Sequence, residues 1–241
     1  MSELLRLDDV TMRFGGLTAL SGVSMSVRRG EIFGLMGANG AGKTTLFALV
    51  GGQLRPSGGR ILFKGEPIQG RRPDQICRLG ISRTFQIVRP FPGVSALDNV
   101  IVSALYGAAS RSRAHAREAG LAALEAVGLA AVANIPAGAL TLSAQKRLEI
   151  ARALATGAEL LLLDEVLAGL TPAEVEPMLE TLAFVKKDRD LTIVVIEHVV
   201  GALMRLSDRI LALDHGEVIV MGEPAEVARD ARVLEAYFGG A

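Results

Sequence analysis

The sequence predicts an α/β protein with a helical segment inserted into its core, and three observations carry that reading. Short, almost wholly apolar runs alternate with helical stretches, as expected of strands buried on both faces. One such run, EIFGLM, passes directly into a glycine-rich loop, GANGAGKTT, that opens a helix. From about Leu97 to Val132 the composition shifts to Ala, Leu, Arg and Glu at helical spacing.

In chain order, LLRLDDVTM and LTALSGVSMSV read as the first strands and EIFGLM as a buried one. TTLFALVGG reads as a helix that ends at Gly51 and Gly52. GRILFKG is a strand bounded by glycines, and ISRTF is another, ahead of the helical insert. The Ala-rich stretch GLAALEAVGLAAVA has the length and the charge, Glu125, of an amphipathic helix rather than of a membrane segment. ELLLLDE and LTIVVIE are further buried strands. RILALD and EVIVMG flank His215-Gly216, a turn pair. ARVLEAYFGG reads as a terminal helix with Leu234, Tyr237 and Phe238 on one side.

Composition narrows the function classes. With 241 residues, the chain is long enough for one large α/β domain with a subdomain inserted. Its 26 basic and 26 acidic residues balance, and no basic stripe favours a nucleic-acid partner. The single Cys77 excludes an internal disulfide framework and fits a reducing compartment. MSELLRLDDV lacks the basic and apolar regions of a secretion signal, and no apolar run reaches the ~18 residues of a membrane span. The mean hydropathy of +0.37 is high. It fits a well-filled core, and also a surface that docks on a partner.

The chemistry is concentrated in four places. Gly37 to Thr44 matches G-x-x-x-x-G-K-[ST]. Such a loop turns backbone N–H groups onto phosphate oxygens at the positive end of a helix. Its Lys43 reaches the β- and γ-phosphates and its Thr44 hydroxyl ligates Mg²⁺. In LLLLDE, an apolar strand delivers Asp164 to the carboxyl edge of the sheet, where it would hold Mg²⁺ through water. Glu165 follows, placed to polarise an attacking water as general base. His198, after LTIVVIE, could reach a γ-phosphate and hold that water. Gln86, after ISRTF, could touch both metal and water. The last two carry little weight alone.

The order of P-loop, Gln86 after RTF, helical insert, RLEIARAL, LLLLDE, AGLTP and EH resembles the ATP-binding subunits of ABC transporters, over essentially the whole chain. RFGGLTAL, SRTFQIVRPFPGVSALDNV and the ending RVLEAYFGG are similar to the branched-chain (hydrophobic) amino-acid importer branch. The resemblance implies a P-loop NTPase fold of the ABC type: a mixed sheet core, an antiparallel β-subdomain and an inserted α-helical subdomain. It implies a single ATPase domain over 1–241, with a catalytic core at 1–86 and 148–241 and a helical subdomain with the signature region at about 87–147. ATP and Mg²⁺ would be the ligands. Phe14 would stack on adenine; Gly37, Asn39, Gly40, Ala41, Gly42, Lys43, Thr44 and Thr45 would cradle phosphates. Thr44, Gln86 and Asp164 would serve the metal, and Glu165, His198 and Gln86 the chemistry. Ala168 to Pro172 would cross a dimer interface. The implied partners are transmembrane permease subunits, a second ATPase subunit and, indirectly, an extracytoplasmic substrate-binding protein, with no nucleic acid. The implied location is the cytoplasmic face of the cell membrane, as a peripheral subunit.

One motif departs from the family. Where members carry L-S-G-G-Q, this chain has Leu140, Thr141, Leu142, Ser143 and Ala144. In the family this motif closes on the γ-phosphate held by the partner subunit. Thr141 keeps a hydroxyl there, and Thr141 and Ser143 are the expected contacts. The lost glycines should hinder close backbone approach, and Gln145 or Lys146 is a candidate to compensate. Two expectations follow with equal weight: unequal ATP sites in a heterodimer, or a variant that works normally. The docking surface for the membrane subunits is expected at Gln86 to about Asn99, with Phe85, Phe91 and Val94 as apolar contacts. A soluble ABC-type ATPase and a weakly hydrolysing regulatory subunit are the competing readings. The cargo is not legible in the sequence.

Overall fold

The computed structural model describes residues 2–84, 90–108 and 112–238, without the side chains of Tyr237 and Phe238. Along the chain the strands are β1 (Glu3–Phe14), β2 (Leu17–Arg28), β3 (Ile32–Met36), β4 (Gly58–Phe63), β5 (Glu66–Pro67), β6 (Ile81–Arg83), β7 (Leu160–Asp164), β8 (Thr192–Ile196), β9 (Arg209–Asp214) and β10 (Glu217–Gly222). The helices are α1 (Lys43–Val50), α2 (Pro73–Leu79), α3 (Ala96–Tyr106), α4 (Arg113–Ala126), α5 (Leu142–Ala155), α6 (Pro172–Arg189), α7 (Val200–Leu206), α8 (Pro224–Val227) and α9 (Ala231–Phe238). They gather into two compact units, Met1–Ile76 with Thr192–Ala241, and Cys77–Leu191.

In the first unit, β1 and β2 form a long antiparallel hairpin that turns at Gly15-Gly16, with Phe14 opposite Leu17. The sheet they start runs in the order β2-β1-β4-β5 and is antiparallel throughout. A second sheet follows the order β10-β9-β3-β8. It is mixed. β3 lies parallel to both β8 and β9, and β10 is antiparallel to β9. All five residues of β3 and all five of β8 are buried, which is why their sequences read as unbroken apolar runs rather than alternating ones. The expected turn between β9 and β10 is present: His215 and Gly216 both have positive φ, 44° and 81°, the geometry of a tight hairpin turn.

In the second unit β6 and β7 pair in parallel, Ile81 to Arg83 against Leu160 to Leu162. Helices α3, α4 and α5 pack on one another. The first turn of α3 is capped by Ser95, whose hydroxyl accepts from the Asp98 N–H. α5 buries Leu148, Ile150, Ala151 and Leu154, each large aliphatic chain worth roughly 1.5–3 kcal/mol. Among the described residues no helix is long and apolar enough to cross a membrane.

The helical stretch expected from about Leu97 to Val132 is present but divided. α3 ends before Gly107, where a Cβ would fall 2.3 Å from the Thr156 carbonyl oxygen. GLAALEAVGLAAVA is not one helix: α4 stops at Ala126, Gly128 turns with a φ of 70°, and only a 3₁₀ turn follows at Ala130–Val132. Glycine in the left-handed region ends a helix more strongly than the surrounding alanines extend it.

The longest helix, α6, is one the apolar pattern does not announce. Its start is written instead in Thr171-Pro172-x-Glu174, a capping box with proline in the first turn. The Thr171 N–H and hydroxyl both donate to Glu174, 2.9 and 2.8 Å, and the N–H bond above all holds the Glu174 carboxyl below its ordinary range. Burial pushes the Cys77 thiol up, away from the thiolate form that reactivity requires.

Candidate functional site

In the first unit, β3 runs straight into the loop Gly37–Gly42, and α1 begins at Lys43. The glycines are demanded by space. A Cβ on Gly37 would sit 2.4 Å from the Leu213 carbonyl oxygen, and one on Gly42 would sit 2.6 Å from Leu20 and 2.7 Å from the Ala19 oxygen. Gly42 also caps α1 with φ 101°, which needs no side chain. The helix opens with no acidic residue in its first turn, so its positive end is not neutralised. Lys43 is buried, and its ammonium spans the loop to the carbonyls of Gly37 and Ala38, 2.6 and 3.0 Å. Thr44 beside it is exposed and Thr45 half-buried, while Asn39 and Gly40 are exposed and Ala41 is buried. A cation buried under a loop of main-chain amides, at a helix N-terminus, is built to receive an anion of several charges.

His198 belongs to the same edge. Leu35 of β3 lies opposite Ile196 of β8 in a parallel register, so the loop after β3 and the residues after β8 leave the sheet side by side. His198 is exposed there, two residues beyond β8. Phe14 stands at the tip of the β1–β2 hairpin with 44% of its surface exposed, so it is not a core residue.

In the second unit, β7 is buried throughout and ends at Asp164. The Asp164 carboxylate receives the Arg83 guanidinium at 2.8 Å, and both side chains are nearly buried. The Asp164 N–H donates to Thr84 Oγ1 at 3.3 Å, and Thr84 N–H donates to the Leu162 carbonyl at 2.9 Å. The end of β7 is thereby stitched to the chain that follows β6. Glu165, half-buried, carries a left-handed backbone with φ 50°, a conformation that costs a non-glycine residue on the order of 1–3 kcal/mol and clusters at functional sites. Gln86 and Phe85 lie outside the described residues.

The departing signature residues sit at the start of α5. Thr141 is its N-cap, its hydroxyl accepting from the Ala144 N–H at 3.3 Å. Leu142 is 43% exposed in the first turn and Ser143 is buried. Of the two candidates for compensation, Gln145 turns back to donate to the Leu140 carbonyl at 3.0 Å. Lys146 is turned inward, 5% exposed, and donates to the Glu165 carbonyl at 3.0 Å.

Sequence reasoning missed Arg83, and it took Asn99 only as the edge of a docking segment. Asn99 is fully buried in α3. Its side chain accepts from the Phe91 N–H at 2.7 Å and donates to the carbonyls of Phe91 and Ser95 at 3.1 and 3.0 Å. It thus fixes the loop that presents Phe91 and Val94, 49% and 42% exposed. The Arg152 guanidinium stacks 5.6 Å from the centre of the Phe91 ring. Arg152 also pairs with Glu149, and both line a cavity of about 170 Å³ with Ser82 and Ser103. An unpaired buried amide costs about 1–3 kcal/mol, so Asn99→Leu should lower the unfolding midpoint by several degrees in a thermal melt.

The sequence pattern of the ABC transporter family matches residues 20–168. The chain belongs to that family. A second pattern, that of a branched-chain amino acid ATP-binding cassette transporter, matches residues 217–241 of this ABC ATPase. The chain is 38% identical over 251 aligned residues to the high-affinity branched-chain amino acid transport ATP-binding protein BraF of Pseudomonas aeruginosa, covering 99% of this chain and 98% of that protein. It is equally similar, 38% over 251 residues, to LivG of Escherichia coli K12, a protein of the same description. Among solved structures, the ADP conformation of the ATP-binding cassette MJ1267 superposes with a TM-score of 0.89 at 28% identity, over 99% of this chain. A dimeric post-hydrolysis cassette, MJ0796 with ADP and Pi, gives 0.80 at 25% identity over 92% of this chain. This ABC subunit is accordingly an ATP-binding, ATP-hydrolysing protein.

Proposed function

We propose that the chain is the ATP-driven motor of an importer for branched-chain or other hydrophobic amino acids. It would sit at the cytoplasmic face of the cell membrane on permease subunits, paired with a second ATPase subunit and supplied by an extracytoplasmic binding protein. The observation that carries this reading is the match of residues 217–241 to the branched-chain cassette pattern, at the end of a chain 38% identical to BraF over almost its whole length.

The residues take roles according to their chemistry. Gly37, Asn39, Gly40, Ala41 and Gly42 offer main-chain N–H groups to phosphates, Lys43 neutralises the β- and γ-phosphates, and Thr45 follows in the first turn of α1. Phe14, exposed at its hairpin tip, offers a face for adenine. Thr44, Asp164 and Gln86 serve a magnesium ion. A hydroxyl, an amide oxygen and a carboxylate are hard oxygen donors of the kind that suit Mg²⁺. Held by these residues, the ion would supply positive charge against the negative charge that develops on the phosphates. Arg83 holds Oδ2 of Asp164 at 2.8 Å, which orients the carboxylate. Glu165 polarises the attacking water, with His198 and Gln86 positioning it. The chain acts as one ATPase domain, with the helical insertion at about 87–147 and the core at 1–86 and 148–241.

Closure of two such subunits on ATP does work only if the closed state binds ATP more tightly than the open one. The surface that would pass this motion to a permease is the Phe91–Val94 loop. It is apolar, exposed, and held by the buried Asn99 beside a cavity with charged walls. The test is uptake. The chain, co-purified with its permeases and the second ATPase and placed in proteoliposomes with the binding protein, should accumulate labelled leucine, isoleucine or valine when ATP is inside. Vigorous ATP turnover without accumulation of any apolar amino acid would sink the assignment of cargo while leaving the ATPase intact.

A further inference from the structure

Lys146 sits in the fifth residue of α5, where three physical costs act on it. Its side chain is 95% removed from solvent, which an ammonium tolerates only with good partners. It lies near the N-terminus of its helix, where the dipole gives a cation no help. It also gives up the large rotamer freedom of lysine. A surface-facing lysine would avoid all three. Nζ donates a hydrogen bond, 3.0 Å, to the main-chain oxygen of Glu165.

That oxygen is at the strained point of the second unit. Glu165 has φ 50°, and its carbonyl already accepts the Ala168 N–H at 3.2 Å in the turn that follows β7. A second, charged donor on the same oxygen holds the plane of the peptide leaving Glu165, and so steadies the backbone turn that carries its side chain. A second contact reinforces the link. The Leu142 side chain reaches to 3.1 Å from where a Cβ on Gly169 would lie, so the first turn of α5 also leans on the segment just past Glu165.

We propose that Lys146 is a positioning residue for Glu165. From α5 it holds the backbone of the carboxylate that polarises water, without touching nucleotide itself. The proposal rests on the reading of Glu165 as the general base. It gives Lys146, two residues past the altered signature, a role different from the compensation expected of it.

The test is a double-mutant cycle in the purified transporter complex, with Lys146→Met, Glu165→Gln and the pair. Methionine matches the length of the lysine stem, removes the donor and suits a buried site, where an apolar isostere is tolerated. Lys146→Met should lower kcat by about 10–100-fold, the cost of a misplaced catalytic group, with KM for ATP and the affinity for a fluorescent ATP analogue unchanged. Added to Glu165→Gln, it should change the remaining turnover by less than about twofold, because two residues acting through one group are not additive. If the methionine variant fails to assemble, Lys146→Leu, which also removes the donor, goes through the same cycle. Wild-type kcat in the Lys146 variant, or equal losses in both backgrounds, overturns the role given to Lys146. Full turnover in Glu165→Gln alone overturns instead the assignment of Glu165 on which it stands.

Discussion

Glu165→Gln is expected to cut ATP turnover by roughly 10²–10⁴-fold while nucleotide affinity persists, the loss typical of removing a general base. Glutamine keeps the volume and the hydrogen-bonding edge of the side chain but cannot take a proton. The left-handed backbone at Glu165 is fixed by the Ala168 and Lys146 contacts to its carbonyl, so the substitution leaves the turn in place. The measurements are steady-state phosphate release and equilibrium binding of ATP with Mg²⁺; loss of binding together with turnover would count against a purely chemical role. The same substitution reads out the altered signature. Leu142 and Ser143 stand where the family has glycines, and Leu142 is exposed in the first turn of α5. If these residues weaken the partner's site in a heterodimer, Glu165→Gln in this chain removes most of the turnover and the matching substitution in the partner removes little. Equal losses from either subunit favour a signature that works normally.

Lys43→Ala should abolish both turnover and useful affinity for ATP. The ammonium is buried and held by the carbonyls of Gly37 and Ala38, 2.6 and 3.0 Å, so its position is set before any nucleotide arrives. Charge-assisted hydrogen bonds contribute about 1.5–3 kcal/mol each, so losing two from Lys43 to phosphate oxygens weakens binding by roughly two to four orders of magnitude. The loop itself keeps its shape, because Gly37 and Gly42 are set by close packing against Leu213, Ala19 and Leu20. Titration calorimetry on the purified chain, with circular dichroism as the check on folding, decides it. Unchanged affinity would remove the basis for reading Gly37–Thr44 as the phosphate site.

The parts legible in the sequence are those where one local rule acts alone. Short buried runs rich in aliphatic residues and bounded by turn residues read as strands, which is why β3, β7 and β8 stand where the hydropathy places them. Gly37–Thr44 is legible because so specific a spacing of glycines, lysine and hydroxyl rarely arises by chance. His215-Gly216 is legible because few residues accept positive φ. α6 is harder to see. Its residues show no clear apolar stripe, Pro177 interrupts it, and only the capping box at Thr171 and Glu174 marks its start. The end of α3 at Gly107 carries no local signal, because that glycine is explained by Thr156, far along the chain.

By itself, then, the amino-acid order determined the α/β class, the glycine-rich loop with Lys43, the acids Asp164 and Glu165 at a strand end, and the departure at Leu140 to Ala144. Tertiary structure alone decided that Arg83 would pair with Asp164, that Asn99 would hold the Phe91 loop, and that Lys146 would turn inward to Glu165 rather than outward beside the signature. The reason is range. A motif is a rule about neighbours in sequence, whereas the partner of a buried charge or amide is whichever group packing brings within about 3 Å, and residues nineteen or eighty-one positions apart carry no shared local signal.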